Sequence, residues 1–168
     1  MTEPIPLPKS RVLEIMNQAF RDGVPHNKAL GLEIVDVGPG EGFAAIRLPY
    51  AEQLVGDTET GILHGGAITA LIDATCGAAV FMKLAKPVAI ATLDLRIDYL
   101  KPATPGRAVM ARAETVKVTR NVGFVRALAY HDDAADPIAS AAGTFMIGTK
   151  GRSVAQRSKR APDDGSGT

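Results

Sequence analysis

Cysteine is nearly absent from this sequence, with Cys76 alone among 168 residues. A single thiol excludes any disulfide within the chain and suits a reducing compartment. An excess of charge of either sign is also missing. The formal net charge is +1 at pH 7, too small for a whole-molecule field that would draw the chain to nucleic acid or an anionic membrane. The most apolar stretch, residues 67–82, is shorter than the ~20 residues a bilayer span needs and is interrupted by Asp73. The opening MTEPIPLPK lacks the charged-then-apolar order of a secretory signal. Location in the cytoplasm is expected, with neither nucleic acid nor a membrane as partner. No group of His, Cys, Asp or Glu has metal-ligand spacing, and no GxxxxGK[ST] phosphate loop is present. No metal or cofactor is therefore expected, and no internal repeat is found.

What is present is a globular balance, 46% hydrophobic and 22% charged, in a chain long enough to bury a core as one domain. Ser10 is placed to cap a helix running to Phe20, with Gly23 and Pro25 ending it. Val12, Ile15, Met16, Ala19 and Phe20 share one face of that helix. Residues 32–37 and 43–48 read as strands around the turn Gly38-Pro39-Gly40. An irregular loop, 49–61, leads to His64-Gly65-Gly66 and a helix over about 66–84. That helix is apolar nearly all round, so other structure must enclose it. Strands follow over 88–100, 107–118, 122–130 and 138–147, joined by short turns, as in an antiparallel sheet. Strict alternation along the first of these puts Thr92 on the face of Asp94, opposite Leu93 and Leu95. Residues 1–27 are expected to form an N-terminal segment with a short amphipathic helix, 28–149 the folded domain, and 150–168 a disordered tail without apolar periodicity.

The chemistry concentrates at the central helix. The first backbone N–H groups of a helix have no internal partner, and the helix dipole adds positive character there. Glycines at that point let another molecule approach the N–H groups. A carbonyl oxygen gaining negative charge during attack would be stabilised by them. Asp73 is the only charged residue over 67–82. A carboxylate in an apolar helix is costly unless paired or put to use. Its natural work is to activate water or to attack a carbonyl itself. Gly65 and Asp73 are eight residues apart, about 12 Å of helical rise. An oxyanion donor and a base must both reach one reacting centre. If both are catalytic, two copies of the helix lying antiparallel across a two-fold axis would bring them together, giving two equivalent sites.

Leu63-His64-Gly65-Gly66 followed by Asp73, then four strands and Tyr99-Leu100-Lys101-Pro102-Ala103, resembles the PaaI-type, acyl-CoA thioesterase 13-like hotdog thioesterases. The similarity covers about residues 28–148. It implies an α+β hotdog fold, a curved antiparallel sheet wrapped around one central helix. It implies a dimer, or a dimer of dimers, that hydrolyses acyl-coenzyme A. On that resemblance the Gly65 N–H polarises the thioester carbonyl with His64 assisting. Asp73 of the second subunit is base or nucleophile, and Thr92 aligns with a hydroxyl that positions water in some members. The family often carries Asn six residues before the His, where this chain has Thr58. Gly66 and Thr58 are then candidate substrate contacts. Lys101 and Arg107 at one turn, and Arg120 with Asn121 at another, are candidates for the coenzyme A phosphates.

Plainer readings stand beside these. The glycines open a tightly packed helix equally well, His64 suits a structural role, and Asp73 suits a buried hydrogen-bond acceptor. Cys76 reads as a packed core thiol, and Thr69 and Thr75 as hydroxyls bonded to helix carbonyls. The basic residues Arg152, Arg157, Lys159 and Arg160 read as a solvated tail, and His26 and His131 carry no assigned role. Three rivals to hydrolysis are an acyl-CoA binder without catalysis, a structural oligomer, and an enoyl-CoA hydratase. The last resembles a pattern with His five residues after the Asp, where this chain has Ala78.

Overall fold

The computed structural model describes residues 8–149. Helix α1 (Lys9–Asp22) and the short α2 (Pro25–Ala29) precede strands β1 (Glu33–Gly38) and β2 (Phe43–Leu48). A 3-10 turn (Glu52–Leu54) and a small hairpin, β3 (Val55–Asp57) with β4 (Ile62–Leu63), lead into α3 (Gly65–Lys83). Strands β5 (Ile90–Tyr99), β6 (Val109–Val118), β7 (Val122–Tyr130) and β8 (Ala139–Ile147) follow. The six long strands form one antiparallel sheet in the order β1-β2-β6-β7-β8-β5. The expected hotdog architecture is present, with α3 lying on the concave face of this sheet.

One side of α3 supplies the core. Ile68, Leu71, Ile72, Cys76, Ala79 and Val80 are buried together with Ile46, Val109 and Val125 from the strands. Thr75 is also buried and its hydroxyl donates to the Leu71 carbonyl at 2.7 Å, the local bond that makes a helical threonine tolerable in a core. The opposite side, along Gly66, Thr69, Asp73 and Gly77, is exposed or only half-buried. The apolar helix is therefore enclosed by its own chain on one face only, where the sequence demanded enclosure on all of them. By length and composition α3 passes as a membrane-crossing helix, but its place in the fold is the core of the sheet.

Helix α1 is part of the folded unit. The Asn17 side chain of α1 donates to the Ile34 carbonyl at 2.7 Å and accepts from the Ile34 N–H at 2.8 Å. It thus pairs with edge strand β1 as a neighbouring strand would. Val12, Leu13, Met16 and Phe20 pack on the core from outside, while Ile15 is 45% exposed. Ser10 does not cap α1. The helix begins one residue earlier, after Pro8, with no side-chain cap. Pro25 opens α2 instead of merely ending α1, because proline at the first helical position lacks only an N–H that would go unpaired there.

Strand β5 departs from strict alternation. Thr92 pairs with Phe145 and Asp94 with Thr144, so the register shifts at Leu93. Leu93 is the extra residue of a bulge and is 53% exposed. Thr92 consequently falls on the inner face with Leu95, Ile97 and Tyr99, and Asp94 falls on the outer face. The expectation that Thr92 shares the Asp94 face is overturned by this one residue.

Candidate active site

His64 occupies the cap position of α3, and its Nδ1 accepts the Gly66 N–H at 2.9 Å. That bond folds the imidazole over the helix start and leaves its proton on Nε2. Two glycines make the arrangement possible. A Cβ at Gly66 would lie 2.9 Å from His64 Nδ1, and one at Gly56 would lie 2.9 Å from His64 Cα. Nothing in the sequence singles out Gly56, in β3, because only the hairpin brings it against His64. The Gly66 N–H is thus engaged within the chain. The Gly65 N–H has no hydrogen-bond partner among the described residues and is open to a ligand, with the helix dipole behind it.

The Gly65 carbonyl is tied down. Tyr99 Oη donates to it at 2.7 Å, and Thr69 Oγ1 lies 3.1 Å from it and 2.9 Å from Tyr99 Oη. Tyr99 is a second residue that sequence reading left out of the site. It stands at the far end of β5, and its approach to the helix start depends on the bulge that sets the strand's inner face. Thr69 bonds a helix carbonyl as expected and also joins this cluster.

Asp73 is half-buried on the open side of α3. Thr92 Oγ1 donates to its Oδ1 at 2.8 Å. Both residues sit at the wall of a cavity of about 500 Å³ between α1, α3 and the start of β5. Its lining is mainly apolar and includes Met16, Phe20, Ala74, Gly77 and Phe81. Cys76 points into the core with no exposed surface. Burial first, and the charge of Asp73 second, push its thiol up to about 12, which excludes a ready thiolate nucleophile.

The remaining candidates scatter. Thr58 is exposed in the β3–β4 turn. Its neighbour Asp57 holds that turn through the Glu59 N–H at 3.0 Å and the Thr60 hydroxyl at 2.6 Å. These bonds, the Thr60 hydroxyl first, hold the Asp57 carboxyl below the usual carboxylate value. Lys101 forms an ion pair with Asp136, and Arg107 one with Asp132. Arg120 is exposed and has no ion pair among the described residues; the Asn121 carbonyl accepts the Ile147 N–H at 2.8 Å. The register places Lys101 just past Tyr99 and the Arg120 turn beside Ile147 and Ile90. The two sets lie at opposite ends of a ten-residue strand, roughly 30 Å apart, so one phosphate group cannot use both in a single chain. His131 is structural. Its Nε2 accepts the Thr104 N–H at 2.9 Å and its Nδ1 meets the Ala108 carbonyl at 2.7 Å.

Comparison with known proteins agrees with this geometry. Residues 60–138, which hold His64, Gly65 and Asp73, match the thioesterase superfamily model. The chain is 29% identical over 155 residues to the medium/long-chain acyl-CoA thioesterase YigI of Salmonella typhimurium, covering 84% of this chain and 97% of that protein. A solved protein from Pseudomonas aeruginosa is 42% identical, with a TM-score of 0.70 over 80% of this chain and 98% of that one. The phenylacetic acid degradation protein PaaI from Thermus thermophilus, solved as a point mutant, is 28% identical, with a TM-score of 0.62 over 73% of this chain and 98% of its own. A helix start with a free amide, an acid on the same helix and a sheet wrapped around both thus occur in a chain that belongs to the thioesterase superfamily, as a thioester hydrolase of the PaaI-type hotdog fold.

Proposed function

We propose that the chain hydrolyses acyl-coenzyme A thioesters at a site completed by a second copy of itself. The observation that carries the reading is the separation of two prepared groups on one helix. The open Gly65 N–H stands at the start of α3, and Asp73, held by Thr92 at 2.8 Å, stands about 12 Å further along. Each is anchored by a different end of β5. A thioester carbonyl cannot meet both in one chain. An antiparallel twin of α3 would set the Gly65 tip of one subunit beside Asp73 of the other. The half-open side of α3 and the position of β5 at a free edge of the sheet both support such a pairing.

In this mechanism the thioester carbonyl accepts the Gly65 N–H, and the His64 Nε2–H assists from the same helix tip. Asp73 of the partner subunit takes a proton from water as the water oxygen bonds to the carbonyl carbon. Alternatively Asp73 attacks first and water then releases the acyl group from it. Either intermediate collapses by breaking the C–S bond. Coenzyme A leaves as a thiolate, so no strong general acid is required. Thr92 orients Asp73 and leaves Oδ2 for the reaction. The acyl group would occupy the 500 Å³ cavity beside Asp73, and its mainly apolar lining favours an aliphatic tail. The Salmonella relative, a medium/long-chain acyl-CoA thioesterase, points the same way. Lys101 and Arg107 remain candidates for coenzyme A phosphates only if a ligand displaces their exposed ion pairs, which are weak enough to exchange.

The test is thiol release from a panel of acyl-CoAs by wild type and Asp73→Asn. Release lost with binding intact supports hydrolysis. Binding without release in either protein supports a carrier of acyl-CoA. Hydration of an enoyl-CoA would overturn the reading; Ala78 occupies the place a hydratase histidine would take, and it lines the cavity.

A further inference from the structure

We infer that Tyr99 is a positioning residue that acts on His64 through the peptide unit between Gly65 and Gly66, an inference that rests on the proposed part of His64 at the thioester carbonyl. Tyr99 Oη donates to the carbonyl oxygen of that unit at 2.7 Å. The N–H of the same unit donates to His64 Nδ1 at 2.9 Å. The two bonds are made by opposite ends of one conjugated amide. A donor on the oxygen draws electron density from the nitrogen and makes its N–H a stronger donor, so bonds in such a chain reinforce one another. The bond to Nδ1 in turn withdraws density from the imidazole and fixes the proton on Nε2. His64 is exposed, and with Nδ1 engaged the Nε2–H is the donor it has left for a substrate. The chain of influence therefore runs from a phenol at the end of β5 to the donor that meets the substrate.

Thr69 extends the chain by one link. Its hydroxyl lies 2.9 Å from Tyr99 Oη and 3.1 Å from the Gly65 carbonyl. The Tyr99 phenol proton goes to the Gly65 oxygen, and the Thr69 hydroxyl donates to the same oxygen, so both hydroxyls draw density from one peptide unit. Tyr99 reaches this place from a strand, not from the helix it controls, so the helix tip is oriented by the sheet edge. This role differs from a side chain that merely packs. A phenyl ring would pack in the same space and would break the chain.

Tyr99→Phe in the full-length protein tests the idea by kinetics and by NMR of ¹⁵N-labelled protein. The expected result is a fall in kcat of about fivefold, the size of one ordinary hydrogen bond, with KM changed less than twofold. The Gly66 amide proton is expected to move upfield and the His64 Nδ1 resonance to shift toward that of a less strongly bonded nitrogen. Thr69→Val is expected to give smaller changes in the same direction, and the double variant less than the product of the two effects. Unchanged Gly66 and His64 resonances in Tyr99→Phe would overturn the inference, whatever the kinetics. A raised KM with unchanged kcat would also overturn it, by making Tyr99 a substrate contact. His64→Ala separates the two levels. If it leaves kcat intact, the proposed part of His64 fails, while the NMR shifts still report whether Tyr99 and His64 are coupled.

Discussion

Thr92 Oγ1 donates to Asp73 Oδ1 at 2.8 Å, and it does so because Leu93, the next residue, is squeezed out of the strand pairing. Without that bulge, Thr92 and Tyr99, seven residues apart, would face opposite sides of the sheet. With it, one strand holds both the acid and the helix tip. The bond engages one carboxylate oxygen and leaves the other for reaction. Asp73→Asn keeps the shape and removes the base. We expect thiol release to fall by at least about a hundredfold, the range of a general base, with the melting temperature little changed. Thr92→Val should lower kcat about tenfold or less through loss of one charge-assisted bond. Steady-state kinetics with a chromogenic thiol trap measures both, and full activity of Asp73→Asn would remove the acid from the mechanism.

Sharing of the site between subunits is tested by mixing. His64→Ala and Asp73→Asn damage opposite halves of each site. If the halves come from different chains, random dimers of the two variants contain one intact site in half of the molecules. Refolded or co-expressed mixtures should then regain about a quarter of wild-type activity, from half of the dimers carrying one good site of two. A mixture as inactive as its components would place both groups of a site in the same chain.

The cavity beside Asp73 predicts where acyl length is set. Gly77 lies one helical turn past Asp73 and lines the cavity. A Cβ there would lie 3.5 Å from Phe145 Cε1 and 3.7 Å from Ile90 Cδ1, ordinary contact, so Gly77→Ala should fold normally. Gly77→Leu should block the cavity beyond Asp73. We expect kcat/KM for long acyl chains to fall more than tenfold, about 1.4 kcal/mol, while short chains lose little. Equal losses across a chain-length series would show that the tail lies elsewhere.

Cys76 should be silent toward thiol reagents in the native protein and react once per chain after unfolding, since its thiol is pushed up to about 12 by burial and by Asp73. The sign of the linkage follows. The unfolded thiol ionises near 9.0 and the folded one near 12, so the unfolded chain releases its proton first as pH rises. This thiol's contribution to stability is present below about 9 and is lost as pH climbs toward 12. Urea midpoints from pH 8 to 10 should fall less steeply in Cys76→Ala than in wild type. Rapid labelling of native protein at neutral pH would show the thiol to be accessible.

Among these elements the legible parts are those with local causes. Phe43–Leu48 and Val122–Tyr130 match the expected strands because alternation and flanking turns mark them. The helix over 65–83 is marked by its apolar content and by the glycines at its start. Less legible are the α1 start, where a proline stands in place of the expected serine cap, and α2, which opens at a proline expected to end α1. The Lys101 and Arg107 candidates were readable as charges, but their partners Asp136 and Asp132 come from another turn.

The amino-acid sequence by itself determined the order of elements, the glycine-opened helix with His64 just before it, and the lone acid two turns along it. These depend on residue type and short-range spacing, which the chain carries wherever it folds. Only the tertiary structure decided that Thr92 faces Asp73, that Tyr99 grips the helix tip, that Gly56 backs His64, and that α1 walls the cavity. Each of these follows from strand register and from the packing of distant segments. One bulged residue reverses a face, and no local pattern announces it.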